Sequence, residues 1–223
     1  MNKVFEKEGL DIVSIEEGEL SCVDIESFEY ILVSGGDGAI RRVVEYMAKN
    51  NIKMPKLIVD PEGTFNMIYK LYRIKTPEDI LEKIAQESAL KEVDRNYFSV
   101  NSDHYFIFSA GNSLDMIYII LSDLFRVGFL VKSKLRYLIS IIFLLPLIVI
   151  MIPFFLVVKK YFLVFNGYDF RLKSILNIHL NPSEVRIELD SDYNIWQMDG
   201  DIVVVRSKSN HIKKAGRLKL IIG

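Results

Sequence analysis

Apolar runs and amphipathic stretches alternate along the first half of the chain. Tyr30 to Val33 is apolar and runs into Ser34-Gly35-Gly36-Asp37-Gly38; Val43, Val44 and Met47 then recur at helical spacing among Arg41, Arg42, Glu45 and Lys49, predicting a helix over 41–50. The unit repeats. Pro55 to Asp60 is a second short run, Pro61-Glu62-Gly63-Thr64-Phe65-Asn66 a second polar break, and Met67, Ile68, Leu71 and Tyr72 resume the helical period. Strand, loop and helix twice over predict a parallel α/β sheet, and such sheets bind ligands off the carboxyl ends of their strands. Thr76-Pro77-Glu78-Asp79 predicts a capped helix start, with Ile80, Leu81, Ile84 and Ala85 as its apolar face. Strands are also expected at Leu10–Ile15, Lys91–Val100 and Tyr105–Ser109, and a helix from about Leu114.

The second half changes character. Leu138 to Val158 carries no charge, with Lys132, Lys134 and Arg136 before it and Lys159 and Lys160 after it. About 20 such residues suffice to span a bilayer, and Pro146 and Pro153 would kink a helix there. Buried helices, a full span and an element dipping into one leaflet all remain open on this pattern. Beyond it, Tyr161–Phe165, Asn166-Gly167 and Tyr168–Leu172 predict a hairpin with a type I′ turn. Val185–Leu189, Ile202–Arg206 and Leu218–Ile222 alternate as half-buried strands do, so this half reads as an antiparallel β domain.

Composition narrows the function classes. The chain has 223 residues and a net charge of −1, so nothing suggests nucleic acid as a partner. The single cysteine, Cys22, excludes an internal disulfide framework, and His104, His179 and His211 show no ligand spacing. The N-terminus lacks the apolar core of a signal peptide, and a cytoplasmic, membrane-associated location is expected. The glycine loop can bring backbone N–H groups and a helix N-terminus to a phosphate, and Asp37, its one charged residue, suits Mg²⁺ or a water of its shell. Asp199-Gly200 is also a favoured turn pair, so Asp199–Asp201 reads either as chemistry or as a plain hairpin.

Four segments carry a resemblance. Gly35-Gly36-Asp37-Gly38-Ala39, Gly63-Thr64-Phe65-Asn66-Met67, Phe108-Ser109-Ala110-Gly111…Asp115 and Met198-Asp199-Gly200-Asp201 resemble, in order and spacing, the catalytic domain of the diacylglycerol kinase family, which also holds sphingosine and bacterial lipid kinases. The resemblance implies an α/β nucleotide-binding domain over 1–125, of the kind shared with NAD kinases, an apolar connection over 126–160 and an antiparallel β domain over 161–223. It implies an ATP-dependent transfer to a lipid hydroxyl, of diacylglycerol or a related alcohol. Gly35, Gly36, Gly38, Thr64 and Asn66 would line the nucleotide cleft, Asp37 and Asp199 would hold Mg²⁺, and Asp37, Asp199 and Asp201 would be catalytic, with Asp201 taking the proton of the lipid hydroxyl. It further implies that Asp37 and Asp201 face a shared groove, and that 138–158 re-enters on one side of the membrane or lies in its interface.

The sequence departs from the family pattern at Ala39, where the family has threonine, at Met67, where it has an acid, and at Asp201, where it has glutamate. The opening strand expected before residue 10 is not seen. These differences motivate a second reading, a non-catalytic relative acting as a lipid-binding or regulatory module. A NAD kinase-like enzyme is the third. The expected partners are a membrane lipid substrate and the membrane surface; whether a second copy or another chain completes the sheet edge stays open.

Overall fold

The computed structural model describes residues 10–63, 66–112, 138–143, 145–146, 149–150, 153, 161–166, 174–175, 178–180 and 182–223. The chain divides into two compact units, Met1–Asn96 with Gly216–Gly223, and Tyr97–Ala215. The last residues, Gly216–Gly223, thus group with the first unit.

In the first unit, β1 (Tyr30–Ser34) and β2 (Lys56–Asp60) pair in parallel, with Ser34 opposite Asp60. Their carboxyl ends are therefore level, and both polar breaks open at one rim. The last strand, β12 (Ser209–Ile221), joins β2 in parallel through Leu220 and Leu57, and β3 (Glu92–Val100) follows β12 in the sheet. The helix α1 spans Asp37–Lys49 and buries Ile40, Val43, Val44 and Met47, one stripe at helical spacing. It starts four residues before the expected position because Gly36 serves as an extended N-cap, placing Asp37 in the first turn. The short α2 (Met67–Tyr72) and α3 (Pro77–Ala85) follow as expected, and Thr76 Oγ1 accepts the Asp79 N–H at 3.3 Å.

Leu10–Ile15 is not a strand. Ile12, Val13 and Ile15 are exposed, so their alternation has no sheet face to bury. Two 3₁₀ turns, Glu17–Cys22 and Ile25–Ser27, follow and contribute Leu20 and Ile25 to the core.

In the second unit, the expected strand Tyr105–Ser109 is broken into β4 (His104–Phe106) and β5 (Ser109–Gly111), with a bend at Ile107 and Phe108. A six-stranded sheet runs β11-β10-β5-β6-β8-β7, where β6 is Leu163–Phe165, β7 Ser174–Ile175, β8 Ile178–Leu180, β10 Asn194–Met198 and β11 Asp201–Val205. The pair β6–β8 is parallel, so this unit is not purely antiparallel. Both sides of β6 are taken, by β5 and β8, while the turn expected at Asn166-Gly167 runs outside the described residues. The strand expected at 168–172 and the helix from Leu114 fall outside the described residues. Separately, β9 (Glu184–Glu188) pairs antiparallel with the first part of β12, burying Val185 and Ile187 on alternate positions. The core of this unit gathers Phe98, Phe106, Phe162, Val164, Trp196, Met198 and Ile212.

Candidate functional site

The two polar breaks of the first unit meet backbone to backbone. A Cβ on Gly63 would lie 2.4 Å from the Gly36 Cα and 2.9 Å from its nitrogen, so only glycine permits this approach. The Gly35 N–H donates to the Asp60 carbonyl at 2.9 Å, and Ser34 Oγ donates to the Asp60 carboxylate at 2.8 Å. Asp60 is buried at the end of β2 and was not singled out from sequence; the signal that marks it is a charged residue closing the apolar run Leu57-Ile58-Val59 at a loop rim.

Asn66 sits at the centre of the second break in the left-handed region, with φ 47°, which asparagine tolerates better than most residues. Its Nδ2 donates to the carbonyls of Pro61 at 2.7 Å and Gly63 at 2.5 Å. Among the described residues its Oδ1 is buried without a hydrogen-bond partner, and a Cβ at Gly36 would lie 3.9 Å from it. A buried acceptor left unpaired costs about 1–3 kcal/mol, and such groups mark places where a donor is supplied from outside.

Asp37 accepts the Met67 N–H at 2.7 Å and the Ile68 N–H at 3.1 Å, so its carboxylate caps α2. Burial raises its pKa above the ordinary aspartate range; the two amide donors and Lys70 oppose that shift. Met67 departs from the family pattern in its side chain, yet it meets Asp37 through its backbone, which no side-chain comparison reveals. Among the described residues, no side chain caps the N-terminus of α1, whose Ala39 N–H donates to the Gly36 carbonyl at 3.0 Å. Gly35, Gly36, Gly38, Asp37 and Asn66 thus gather at one rim, while Thr64 lies outside the described residues.

The second cluster lies in the other unit. Asp199 and Gly200 form the turn of the β10–β11 hairpin, both at positive φ (49° and 93°), as a type I′ turn requires. The Asp199 carboxylate is buried and accepts three consecutive backbone N–H groups, from Ile107 at 2.6 Å, Phe108 at 2.7 Å and Ser109 at 2.8 Å. Asn166 secures the same bend from its other side: its Nδ2 donates to the Ile107 carbonyl and its N–H to the Phe108 carbonyl, both at 2.7 Å. Asp199 is therefore the acceptor that fixes the break between β4 and β5. Asp201 opens β11 opposite Met198 and is half-buried.

These contacts bear on the expected metal. Both acids assigned to Mg²⁺, Asp37 and Asp199, direct their oxygens at backbone N–H groups, and the described residues hold no cluster of three or more metal-ligating side chains. They do not fit a metal held by protein ligands. The uncapped start of α1 and the buried Asn66 Oδ1 instead place backbone donors and a side-chain acceptor at one rim.

Comparison with known proteins follows the first unit closely. Residues 10–95 match the diacylglycerol kinase catalytic domain. The resemblance read from the glycine loops therefore holds over that stretch. Solved structures extend the likeness in fold. "A putative diacylglycerol kinase from Bacillus anthracis str. Sterne" is 15% identical with a TM-score of 0.55, covering 94% of this chain and 84% of that one. A second structure, of "a diacylglycerol kinases" from the same organism, is 12% identical with a TM-score of 0.51, covering 94% and 84%. Among curated proteins, no sequence match is found. The mixed α/β fold is thus that of the diacylglycerol kinase structures.

Proposed function

We propose that this protein is a nucleotide-dependent lipid kinase of the diacylglycerol kinase type, transferring a phosphoryl group from ATP to a lipid hydroxyl. The observation that carries the reading is the paired loop rim: Gly36 against Gly63, an uncapped α1, and an unpaired buried Asn66 Oδ1. ATP would supply the phosphoryl group, and Mg²⁺ would enter with its phosphates, as magnesium commonly does. Gly35, Gly36 and Gly38 allow close approach of an anion to backbone N–H groups, and the α1 N-terminus favours negative charge. Asn66 Oδ1 accepts a donor from the nucleotide. Asp37 acts by position: capping α2, it holds the second loop against the first. Asp201 is the residue we assign to the lipid hydroxyl's proton, and Asp199 holds the bend beside it.

One observation favours a second reading, a nucleotide-binding relative without transferase activity. The carboxylates of Asp37 and Asp199 are both engaged by backbone amides, which ties these two acids to holding loops in place.

Two measurements separate the readings. Thermal shift with Mg·ATP tests the rim, since a ligand at 100 times its dissociation constant adds about 2.7 kcal/mol. Transfer of label from ATP to diacylglycerol tests the chemistry. A shift with transfer that Asp201→Asn abolishes supports the kinase. A shift without transfer to any lipid alcohol supports the relative, and no shift at all overturns both.

A further inference from the structure

We infer that the apolar segment of the second unit is a one-sided docking element for an anionic bilayer. It leaves and rejoins its sheet at hydrogen-bonded neighbours. Gly111 pairs with Leu163, the Asn112 N–H donates to the Phe162 carbonyl at 3.3 Å, and the Phe162 N–H donates to Asn112 Oδ1 at 3.1 Å. The two ends of the excursion between residues 112 and 162 therefore lie on the same side of any membrane. A single crossing by 138–158 would put these neighbours on opposite faces of a hydrocarbon layer about 30 Å thick. Among the described residues, no helix is long and apolar enough to cross.

The described residues of this segment are inverted with respect to water. Residues 138–143 are helical, and in that run the polar Ser140 is fully buried. Leu138, Ile141, Ile142 and Phe143 are exposed, Phe143 to 66%, and Leu145, Val149 and Ile150 continue the exposed apolar surface, Ile150 to 73%. A helix that buries its polar residue and presents its apolar ones is built for apolar surroundings.

Charge selects the occupant. Residues 131–160 contain Lys132, Lys134, Arg136, Lys159 and Lys160 and no acidic residue, whereas the whole chain is nearly neutral. A second copy would set these five cations against their equals, while an anionic headgroup layer complements them. The choice of a lipid surface also draws on the lipid kinase reading, because a lipid substrate is met there. Docking of this type combines a buried apolar face with attraction to anionic lipid.

The test measures docking without nucleotide, so its outcome is independent of the rim. The full chain is sedimented with vesicles of phosphatidylcholine alone and of phosphatidylcholine with phosphatidylglycerol. Wild type is expected to partition into the anionic vesicles and less so as salt rises. The double variant Ile142→Glu/Phe143→Glu should weaken that partition at least about tenfold, from the loss of two buried apolar side chains. Both positions are exposed, so an unchanged thermal melt confirms that the variant folds. To report insertion, Cys22→Ser with Ile142→Cys carries an environment-sensitive dye, which should shift to the blue on anionic vesicles. Equal partition of wild type and the glutamate variant overturns the inference. So does a concentration-dependent dimer, abolished by the variant, with no vesicle binding. A thermal shift with Mg·ATP alongside absent docking would leave the kinase reading standing and remove this one.

Discussion

Replacing Asp199 tests whether one side chain holds the second unit's bend. The carboxylate accepts N–H groups from Ile107, Phe108 and Ser109 at 2.6–2.8 Å and is buried, as are Ile107 and Phe108. Each donor left unpaired costs about 1–3 kcal/mol. The losses overlap, because the freed bend can relax, so the sum for a variant without any acceptor is about 3–5 kcal/mol. Against a total stability of about 5–15 kcal/mol that is a large fraction. Three substitutions divide the effect. Asp199→Asn keeps one oxygen and tolerates φ of 49°, so it should cost least, about 2–3 kcal/mol. Asp199→Gly loses all three bonds but suits the turn. Asp199→Ala loses the bonds and adds a left-handed penalty of about 1 kcal/mol, making it the worst. Trp196 is the chain's one tryptophan, fully buried on β10 and edge-on to Phe162 at 4.6 Å, so its fluorescence during urea unfolding reports this unit. An asparagine variant within about 0.5 kcal/mol of wild type, the scale of an ordinary surface change, would refute the role assigned to the carboxylate. An order in which alanine equals glycine would refute the turn argument alone.

The loop rim and the α2 cap make two further predictions. Gly63→Ala sets a Cβ against the Gly36 backbone at 2.4 Å and Asn66 Oδ1 at 2.6 Å, and should cost about 1–3 kcal/mol and abolish the Mg·ATP thermal shift; Gly18→Ala, with nothing within 4 Å, is the neutral control. Asp37 has a raised pKa in the folded protein, so the fold binds its proton more tightly than the unfolded chain does. Its contribution is fully present below the ordinary value of 3.8 and is lost as pH rises through the raised one. In urea titrations from pH 3.5 upward, Asp37→Asn should therefore gain stability relative to wild type as pH rises; a difference that stays flat with pH contradicts the burial argument. Asp37→Ala, which also removes the cap of α2, should cost about 1 kcal/mol against the asparagine variant.

Local pattern determined the elements of the first unit. Val43, Val44 and Met47, the Thr76-Pro77 start and the two polar breaks are read within a dozen residues, and helical period, capping and glycine turns act at that range. The Asp-Gly turn at Asp199 was legible for the same reason. Tertiary structure decided the rest. Whether alternation becomes a strand depends on a face to cover, and Ile12, Val13 and Ile15 found none. That Leu220 pairs with Leu57 is a contact between residues far apart in the chain, and it places the last strand's end in the first unit. Acids are the strongest case. In sequence, Asp37 and Asp199 read as metal ligands because a carboxylate in a glycine loop is compatible with a cation; in the fold, their oxygens meet backbone N–H groups contributed from 30 and about 90 residues away. Backbone donors carry no residue signature, so a partner of that kind emerges only once the chain has folded.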